Sequence, residues 1–169
     1  MSITDQLIRL RPQLIAYAQA VCGNADQADD LVQDACERAI TAREAPEDMR
    51  DLKPWMFRII RNLHIDDLRK ARVRTEYASH HIRLFDEDTH DGSDQLRDLL
   101  VRQTFEALSP QHREIIFLVD VMGMRYAEAG NVLGVPEGTV MSRLSRARRA
   151  MIEHLNESNV TPLPRRRQN

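Results

Sequence analysis

Polar side chains in a basic segment near the carboxyl end of the chain have residue types and spacing suited to reading DNA. Thr139, Ser142, Arg143 and Arg146 fall on one side when the segment is given helical periodicity. An arginine guanidinium can donate two hydrogen bonds to a guanine, and serine and threonine hydroxyls can bind bases or the DNA backbone. This pattern predicts a helix that contacts base edges, although charge alone would equally fit the solvated surface of a structural helix.

A tight turn before this segment favours the DNA-binding interpretation. Gly134 is expected to end a short helix, because glycine accepts the left-handed conformation that such a turn needs. Gly130 is small enough for two helices to approach closely, and Val140 is apolar and can fill the angle between them. This spacing is typical of a helix-turn-helix, whose second helix enters the major groove. We predict that recognition helix at residues 137–155.

Charge is distributed unevenly, although the net charge is only −2. Residues 58–74 carry six cations against two carboxylates, a balance of +4, and residues 137–153 carry four arginines against two glutamates, a balance of +2. Carboxylates concentrate instead at residues 26–37 and 86–98. Separate basic and acidic surfaces predict one anionic and one basic partner.

The elements that must position these surfaces are predicted to be helices, because apolar residues return every three or four positions. A first apolar stripe runs over residues 7–21 and ends at Gly23. Asn24 is expected to cap a second helix, and Pro54 suits the first turn of a third. No alternating pattern typical of a strand is present, so the predicted fold class is all-α.

A polar, acidic stretch divides the chain into two small helical domains. Residues 72–93 include three Asp, three His, two Ser and one Gly and predict a flexible linker. Helical periodicity resumes at Leu96, and Ser109 with Pro110 is expected to cap and begin a further helix. We therefore place domains at residues 1–71 and 94–158, with a basic tail at residues 159–169.

Four segments resemble the extracytoplasmic-function (ECF) family of bacterial RNA polymerase sigma factors. Residues 108–118 (LSPQHREIIFL) and 138–148 (GTVMSRLSRAR) resemble the family's region 4, which binds the promoter −35 element. Residues 29–39 (DDLVQDACERA) and 52–69 (LKPWMFRIIRNLHIDDLR) are similar to its region 2. The resemblance covers about residues 5–155. It implies a three-helix bundle for region 2 and a helix-turn-helix for region 4.

The resemblance assigns two roles to region 2. Contacts with the basic clamp helices of the polymerase β′ subunit would come from Leu31, Gln33, Asp34 and Glu37. Asn62 would lie near the flipped −10 base, with the strand backbones held by Arg58, Arg61, Arg69 and Lys70. Melting requires pockets for single-stranded bases and cations that follow the phosphates. Trp55 could stack on a base, but its spacing favours packing in the core.

In region 4 the resemblance places the −35 contacts along the recognition helix. These residues are Gly138, Thr139, Met141, Ser142, Arg143, Ser145, Arg146, Arg148 and Arg149, the last two being better placed for phosphates. Met141 stands where the family commonly has Lys or Arg. Ala129 and Gly130 also depart from the usual larger apolar residue and alanine. These departures affect the expected promoter sequence but leave the family resemblance intact.

The partners that the resemblance implies are core RNA polymerase, through its β′ clamp helices and β flap, promoter DNA and an anti-sigma factor. Two other binding functions account for less of the sequence. An ordinary helix-turn-helix regulator would leave the N-terminal segments unexplained. A sigma-like decoy would be expected to have lost the arginines of the recognition helix.

Other classes of protein are disfavoured by the motifs that the sequence lacks. No phosphate-binding loop, HExxH or GxSxG motif is present, so no enzyme, cofactor or metal is predicted. His80, His81 and His90 lack a Cys or acidic scaffold for zinc, and Cys22 and Cys36 are expected to be small buried residues. No apolar run approaches the roughly 20 residues of a membrane span. We expect a cytoplasmic protein.

Overall fold

The computed structural model describes residues 2–75 and 93–159, and within these ranges the chain is helical with no strand. The helices are α1 (Ile3–Cys22), α2 (Ala25–Thr41), α3 (Met49–Thr75), α4 (Ser93–Ala107), α5 (Pro110–Ile116), α6 (Tyr126–Leu133) and α7 (Glu137–Asn159). A short π-helical segment, Phe117–Val121, follows α5. The all-α prediction is confirmed. Most of the predicted linker and all but the first residue of the predicted tail lie outside the described residues.

Capping residues set the end of α1 and the starts of α2 and α5 as the sequence indicated. Gly23 ends α1 in the left-handed conformation at φ 70°, and its N–H donates to the Gln19 carbonyl. The Asn24 side chain accepts from the Gln27 N–H at 3.0 Å and begins α2. Ser109 caps α5, and Pro110 occupies its first turn. Each cap satisfies a backbone group that has no partner within its own helix.

The third helix begins earlier than the sequence indicated, at Met49 and not at Pro54. Asp48 explains the difference, because its carboxylate accepts from the Arg50 N–H at 2.9 Å and its carbonyl accepts from the Leu52 N–H at 2.9 Å. Pro54 therefore lies inside α3, where its ring nitrogen cannot donate to the Arg50 carbonyl. The helix therefore starts at the Asp48 cap and continues through Pro54 with this one backbone hydrogen bond missing.

Two sets of helices form the core. In the N-terminal half, α1, α2 and α3 pack against one another. The side chains buried there include Leu14, Tyr17, Ala18, Val32, Ala35, Met56, Phe57 and Ile60. In the C-terminal half, α7 packs against α4, α5 and α6. The side chains buried there include Ile115, Leu118, Ala129, Val132, Val140, Leu144 and Ala147. This is the division into two helical domains that the sequence predicts.

The two halves also pack directly against each other. Helix α5 contacts α1, and α6 contacts α3. Their relative placement could not be predicted from the sequence, because a polar linker permits many placements. None of the helices in the described ranges is long and apolar enough to cross a membrane.

Candidate functional site

The helix-turn-helix depends on a close approach at Gly130. The Gly130 carbonyl accepts from the Val135 N–H at 3.0 Å, so the chain folds tightly back over the end of α6. A Cβ on Gly130 would lie 2.7 Å from the Val135 carbonyl oxygen, which is closer than real Cβ contacts. Gly134 completes the turn with φ 67°. The usual alanine of the family would therefore not fit at residue 130 in this turn, whereas glycine does.

Packing between α6 and α7 orients the predicted recognition helix. Val140 is fully buried, and its Cγ2 lies 3.6 Å from the position of a Gly130 Cβ, so it fills the angle between the helices as expected. Leu144 and Ala147 continue the buried side of α7, and Met151 packs against the core while partly exposed. This stripe fixes which side of α7 remains outside.

The opposite side of α7 carries the residues predicted to contact DNA. Exposed positions are Gly138, Met141, Ser142, Ser145, Arg146, Arg148 and Arg149, and Thr139 and Arg143 are partly exposed. The Arg146 Nε donates to the Ser142 carbonyl at 3.2 Å, and the Ser142 hydroxyl donates to the Thr139 carbonyl at 3.0 Å. These bonds hold the side chains along the helix, so base contacts would require them to extend.

An open groove of about 550 Å³ runs beside α7. Its lining includes Tyr126, Met141, Leu144, Ser145, Arg148, Arg149, Ile152 and Glu153. Met141 and Ile152 are 53% and 57% exposed, so part of this surface is apolar between arginines. Met141 thereby replaces a usual cation with an apolar contact on the predicted DNA side.

Helix α3 presents a second basic surface. Arg58, Asn62, Arg69 and Lys70 are exposed on it. Arg69 and Lys70 form long ion pairs within the helix, at 3.6 Å to Asp66 and 3.7 Å to Asp67. Trp55, by contrast, packs partly buried against the core, as predicted.

Helix α2 presents an acidic surface on the N-terminal half. Gln33, Asp34 and Glu37 are exposed, and the Gln33 side-chain amide donates to the Glu37 carboxylate at 3.2 Å. Leu31, the fourth residue of the predicted contact, is only 2% exposed and packs in the core beneath this surface. The exposed part of the predicted contact is therefore Gln33, Asp34 and Glu37.

Comparison with known proteins settles the family. The model of sigma-70 region 2 matches residues 7–74, and that of sigma-70 region 4 matches residues 98–151. The ECF RNA polymerase sigma factor EcfG of Rhodopseudomonas palustris is 33% identical over 147 residues, covering 87% of this chain and 81% of that protein. SigL of Mycobacterium tuberculosis is 36% identical over 148 residues, covering 86% and 84%. The chain belongs to the ECF family of RNA polymerase sigma factors.

Solved structures of related sigma factors share the fold. The sigma factor RpoE from Bartonella quintana, crystallised with the anti-sigma factor NepR, matches with a TM-score of 0.78 and 30% identity over 90% of this chain and 96% of that one. CnrH, solved with the cytosolic domain of CnrY, matches with a TM-score of 0.60 and 25% identity, covering 93% and 88%. As a family, sigma factors are not enzymes.

Two acidic residues engage predicted DNA-binding arginines that are far away in the sequence of this sigma factor, and neither pair was predicted. The Arg148 guanidinium donates to Asp120 through Nε, at 3.1 Å, and through Nη2. This hydrogen bonding raises the pKa of Arg148 and ties α7 to the π-helical segment. The second is Glu114, whose Oε1 lies 3.1 Å from the Arg61 Nε. Neither pair has a helical spacing, so no local pattern could reveal it.

The cysteines and histidines of this sigma factor show no assembled metal site in the described part of the chain. Cys22 and Cys36 are free and partly buried, and burial raises the pKa of both thiols. Within residues 2–75 and 93–159 no group of three or more His, Cys, Asp or Glu could hold a metal ion. His80, His81 and His90 lie outside the described residues.

Proposed function

We propose that this ECF sigma factor binds core RNA polymerase and directs it to specific promoters, with no catalytic activity of its own. Residues 1–71 would act as region 2 and residues 94–158 as region 4, with residues 72–93 as linker and 159–169 as basic tail. The observation that carries the proposal is the separation of charge by helix. The exposed surface of α2 is acidic, whereas those of α3 and α7 are basic.

The acidic surface of α2 fits a basic protein partner. Asp34 and Glu37 point to solvent on a helix whose opposite side is buried, so both carboxylates are available to a partner. Clustered carboxylates would repel DNA, which leaves the β′ clamp helices of polymerase as the site that the family implies. The β flap would bind region 4.

The basic surface of α3 fits the −10 element. Arg58, Arg69 and Lys70 are exposed and can follow phosphates, and Asn62 is exposed among them for a flipped base. The surface of α7 fits the −35 element, because a recognition helix packed at Val140 presents its outer side to the major groove. Two separate DNA-binding helices on one chain match a promoter with two separated elements.

An anti-sigma factor is proposed as the partner that controls this sigma factor. The matched RpoE was crystallised with the anti-sigma factor NepR, and CnrH was solved with the cytosolic domain of CnrY. The apolar groove beside α7 is one surface that an amphipathic helix could use. Because it would act together with polymerase, this sigma factor is proposed to work in the cytoplasm.

In vitro transcription with core polymerase on a randomised promoter library tests this function. The purified chain should make core polymerase initiate at a subset of promoters that share a −35 and a −10 motif. Core polymerase alone provides the baseline. Unchanged initiation in the presence of the chain, under conditions where a known sigma factor is active, would remove the proposal.

A further inference from the structure

A buried carboxylate joins the two halves of the chain. Glu114 on α5 is only 9% exposed. Its Oε1 accepts from the Tyr17 hydroxyl of α1 at 2.8 Å and lies 3.1 Å from the Arg61 Nε of α3. One carboxylate oxygen of the C-terminal half is therefore engaged by two helices of the N-terminal half. Buried charges persist where they are paired in this way, because an unpaired buried charge is costly.

Neighbouring contacts reinforce this junction. The Arg113 Nε donates to the Ala20 carbonyl at 3.1 Å, across the halves, and its Nη1 donates to the Glu106 carbonyl at 2.9 Å. The guanidinium thus lies at the carboxyl end of α1, where the helix dipole favours a cation. Its Nη2 would lie 3.3 Å from a Cβ on Gly23, so the glycine at the end of α1 also leaves room for Arg113.

An aromatic contact accompanies the polar one. The Tyr17 ring is fully buried, with its centroid 4.4 Å from that of Phe57 in its own half and 5.9 Å from that of Phe117 in the other. Tyr17 therefore carries both an apolar and a hydrogen-bonded contact across the junction. Separation of the halves would expose the ring and break the hydrogen bond together.

The junction engages arginines that the proposed function assigns to DNA binding. The Arg61 side chain is 23% exposed, whereas Arg58 and Arg69 on the same helix are exposed to solvent. Arg143 of α7 also acts on Glu114 electrostatically, lowering its pKa against the larger effect of burial. The same carboxylate therefore attracts one cation from each predicted DNA-binding helix.

We propose that Glu114, Tyr17 and Arg61 form a latch that holds the free chain closed and withholds Arg61 from the −10 strand until the halves separate. The inference rests on the proposed function, which supplies the role of Arg61. When the halves separate, the polar groups of all three side chains are hydrated by water. A partner that binds the separated halves more tightly than the closed chain can therefore release the latch through this difference in affinity alone.

Small-angle X-ray scattering of the full chain tests the latch directly. Glu114→Lys places a cation against Arg61 and Arg143 and should enlarge the radius of gyration. Combining it with Arg61→Glu restores an opposite-charge pair and should return the radius towards the original value. Glu153→Lys makes the same charge change on an exposed position of α7 and should leave the radius unchanged. Circular dichroism confirms that each variant remains helical.

Tyr17→Phe provides a second test that keeps every charge. Loss of the hydroxyl removes the hydrogen bond to Glu114 while retaining the ring, so the radius should increase less than with Glu114→Lys. Because Arg61 is intact, the free variant should also bind a labelled random single-stranded oligonucleotide at least about threefold more tightly, as more of the chain is binding-competent.

The outcomes separate the latch from the proposed function. Unchanged radii for both Glu114→Lys and Tyr17→Phe, or equal enlargement by Glu153→Lys, would overturn the latch even if every protein supports transcription. If Glu114→Lys proves not to be helical, the radius of Tyr17→Phe decides. If Glu114→Lys enlarges the radius and the added Arg61→Glu reverses this enlargement, the latch is supported. That conclusion holds even if the chain fails to direct core polymerase and the proposed function is wrong.

Discussion

Single residues in this sigma factor show how local chemistry and distant contacts combine. Gly130 is required by a backbone contact within its own turn, whereas Glu114 is held by residues 53 and 97 positions away, Arg61 and Tyr17. The first kind of constraint acts on folding of the helix-turn-helix. The second acts on how the halves associate. Substitutions at the two kinds of residue should therefore affect different measurements.

Replacing Gly130 with alanine should destabilise the fold. The added Cβ would meet the Val135 carbonyl oxygen at 2.7 Å, and a backbone atom cannot move aside as a flexible side chain would. We expect a loss of about 1–3 kcal/mol in the free energy of unfolding, as for other overpacked sites. Denaturant unfolding measures it. The matched control is Gly138→Ala, where nothing lies within 4 Å of the added atom. Equal stability of the two variants would contradict the steric argument.

The stability of the protein should fall in mild acid because of His64. This side chain is buried on α3, and burial lowers its pKa from the usual 6.5. Below pH 6.5 the unfolded chain binds a proton that folded His64 resists, so stability present above that pH is lost as the pH falls through the lowered pKa. Denaturant unfolding between pH 7.5 and 5.5 measures this loss.

A neutral replacement isolates the contribution of His64. His64→Gln should lose less stability than the unmodified protein over the same pH range. Burial raises the pKa of Glu114, so protonation of Glu114 favours the folded state as the pH falls. Both proteins contain Glu114, so this effect cancels when their pH profiles are compared. Parallel pH profiles for the two proteins would show that His64 does not titrate in this way.

Whole helices define the surfaces on which binding is proposed. Helix α2 buries Leu31, Val32 and Ala35 and exposes Asp34 and Glu37, so its amphipathic pattern separates the core from the partner surface. Helix α7 does the same with Val140 and Leu144 on one side and arginines on the other. The exposed residues Asp34, Glu37, Arg146 and Arg149 can therefore be altered without disturbing the packing beneath them.

Charge reversal on α2 should weaken binding to core polymerase. Asp34→Lys combined with Glu37→Lys places cations opposite the basic clamp helices, and we expect affinity to fall by at least about tenfold, equivalent to about 1.4 kcal/mol. Fluorescence anisotropy of the labelled protein with core polymerase measures it. Glu44→Lys with Glu47→Lys makes the same charge change in the exposed loop after α2 and should have little effect. Unchanged affinity of the α2 variant would refute the proposed contact.

Recognition along α7 should divide between specific and general contacts. Arg146→Ala should lose about 1–3 kcal/mol on the preferred −35 sequence and little on a scrambled one, as for a bidentate base contact. Arg149→Ala should weaken binding to both sequences and reduce the salt dependence by about one phosphate contact. Binding titrations of each variant on both DNAs at several salt concentrations measure this. Equal losses on both sequences for Arg146→Ala would reassign that residue to a phosphate.

At the scale of the whole molecule, the arrangement of the halves decides which surfaces are available. The closed arrangement packs α6 against α3 and α5 against α1, with Arg61 partly covered. Polymerase requires the halves to reach two promoter elements a few turns of DNA apart. Any ligand shifts such an equilibrium only by its differential affinity for the two arrangements.

An anti-sigma factor should therefore compete with core polymerase for this chain. We expect a pull-down from the native host to recover an inhibitor that favours the closed halves and covers part of the α2 surface. Added core polymerase should then displace the inhibitor in proportion to its concentration. Recovery of polymerase as the sole stable partner, or of a ternary complex of inhibitor, sigma factor and core, would contradict occlusion.

Much of the fold followed from local sequence because its signals act over a few residues. The caps at Asn24 and Ser109 and the turn glycines at Gly23 and Gly134 were identified correctly. The start of α3 was wrong, because Pro54 gave a stronger local signal than the Asp48 cap. Leu31 is buried, as its apolar type favours, and its contact with a partner stays a prediction.

By itself the sequence determined the all-α class, the helix-turn-helix and the family, since periodicity, caps and motif spacing are written in adjacent residues. Only the tertiary structure decided that Glu114 meets Tyr17 and Arg61 and that Asp120 holds Arg148. The residues of each pair are far apart in the chain, and no helical periodicity relates them. Their contact depends on how packed helices bring distant side chains together, because an ion pair forms wherever two charges meet in space.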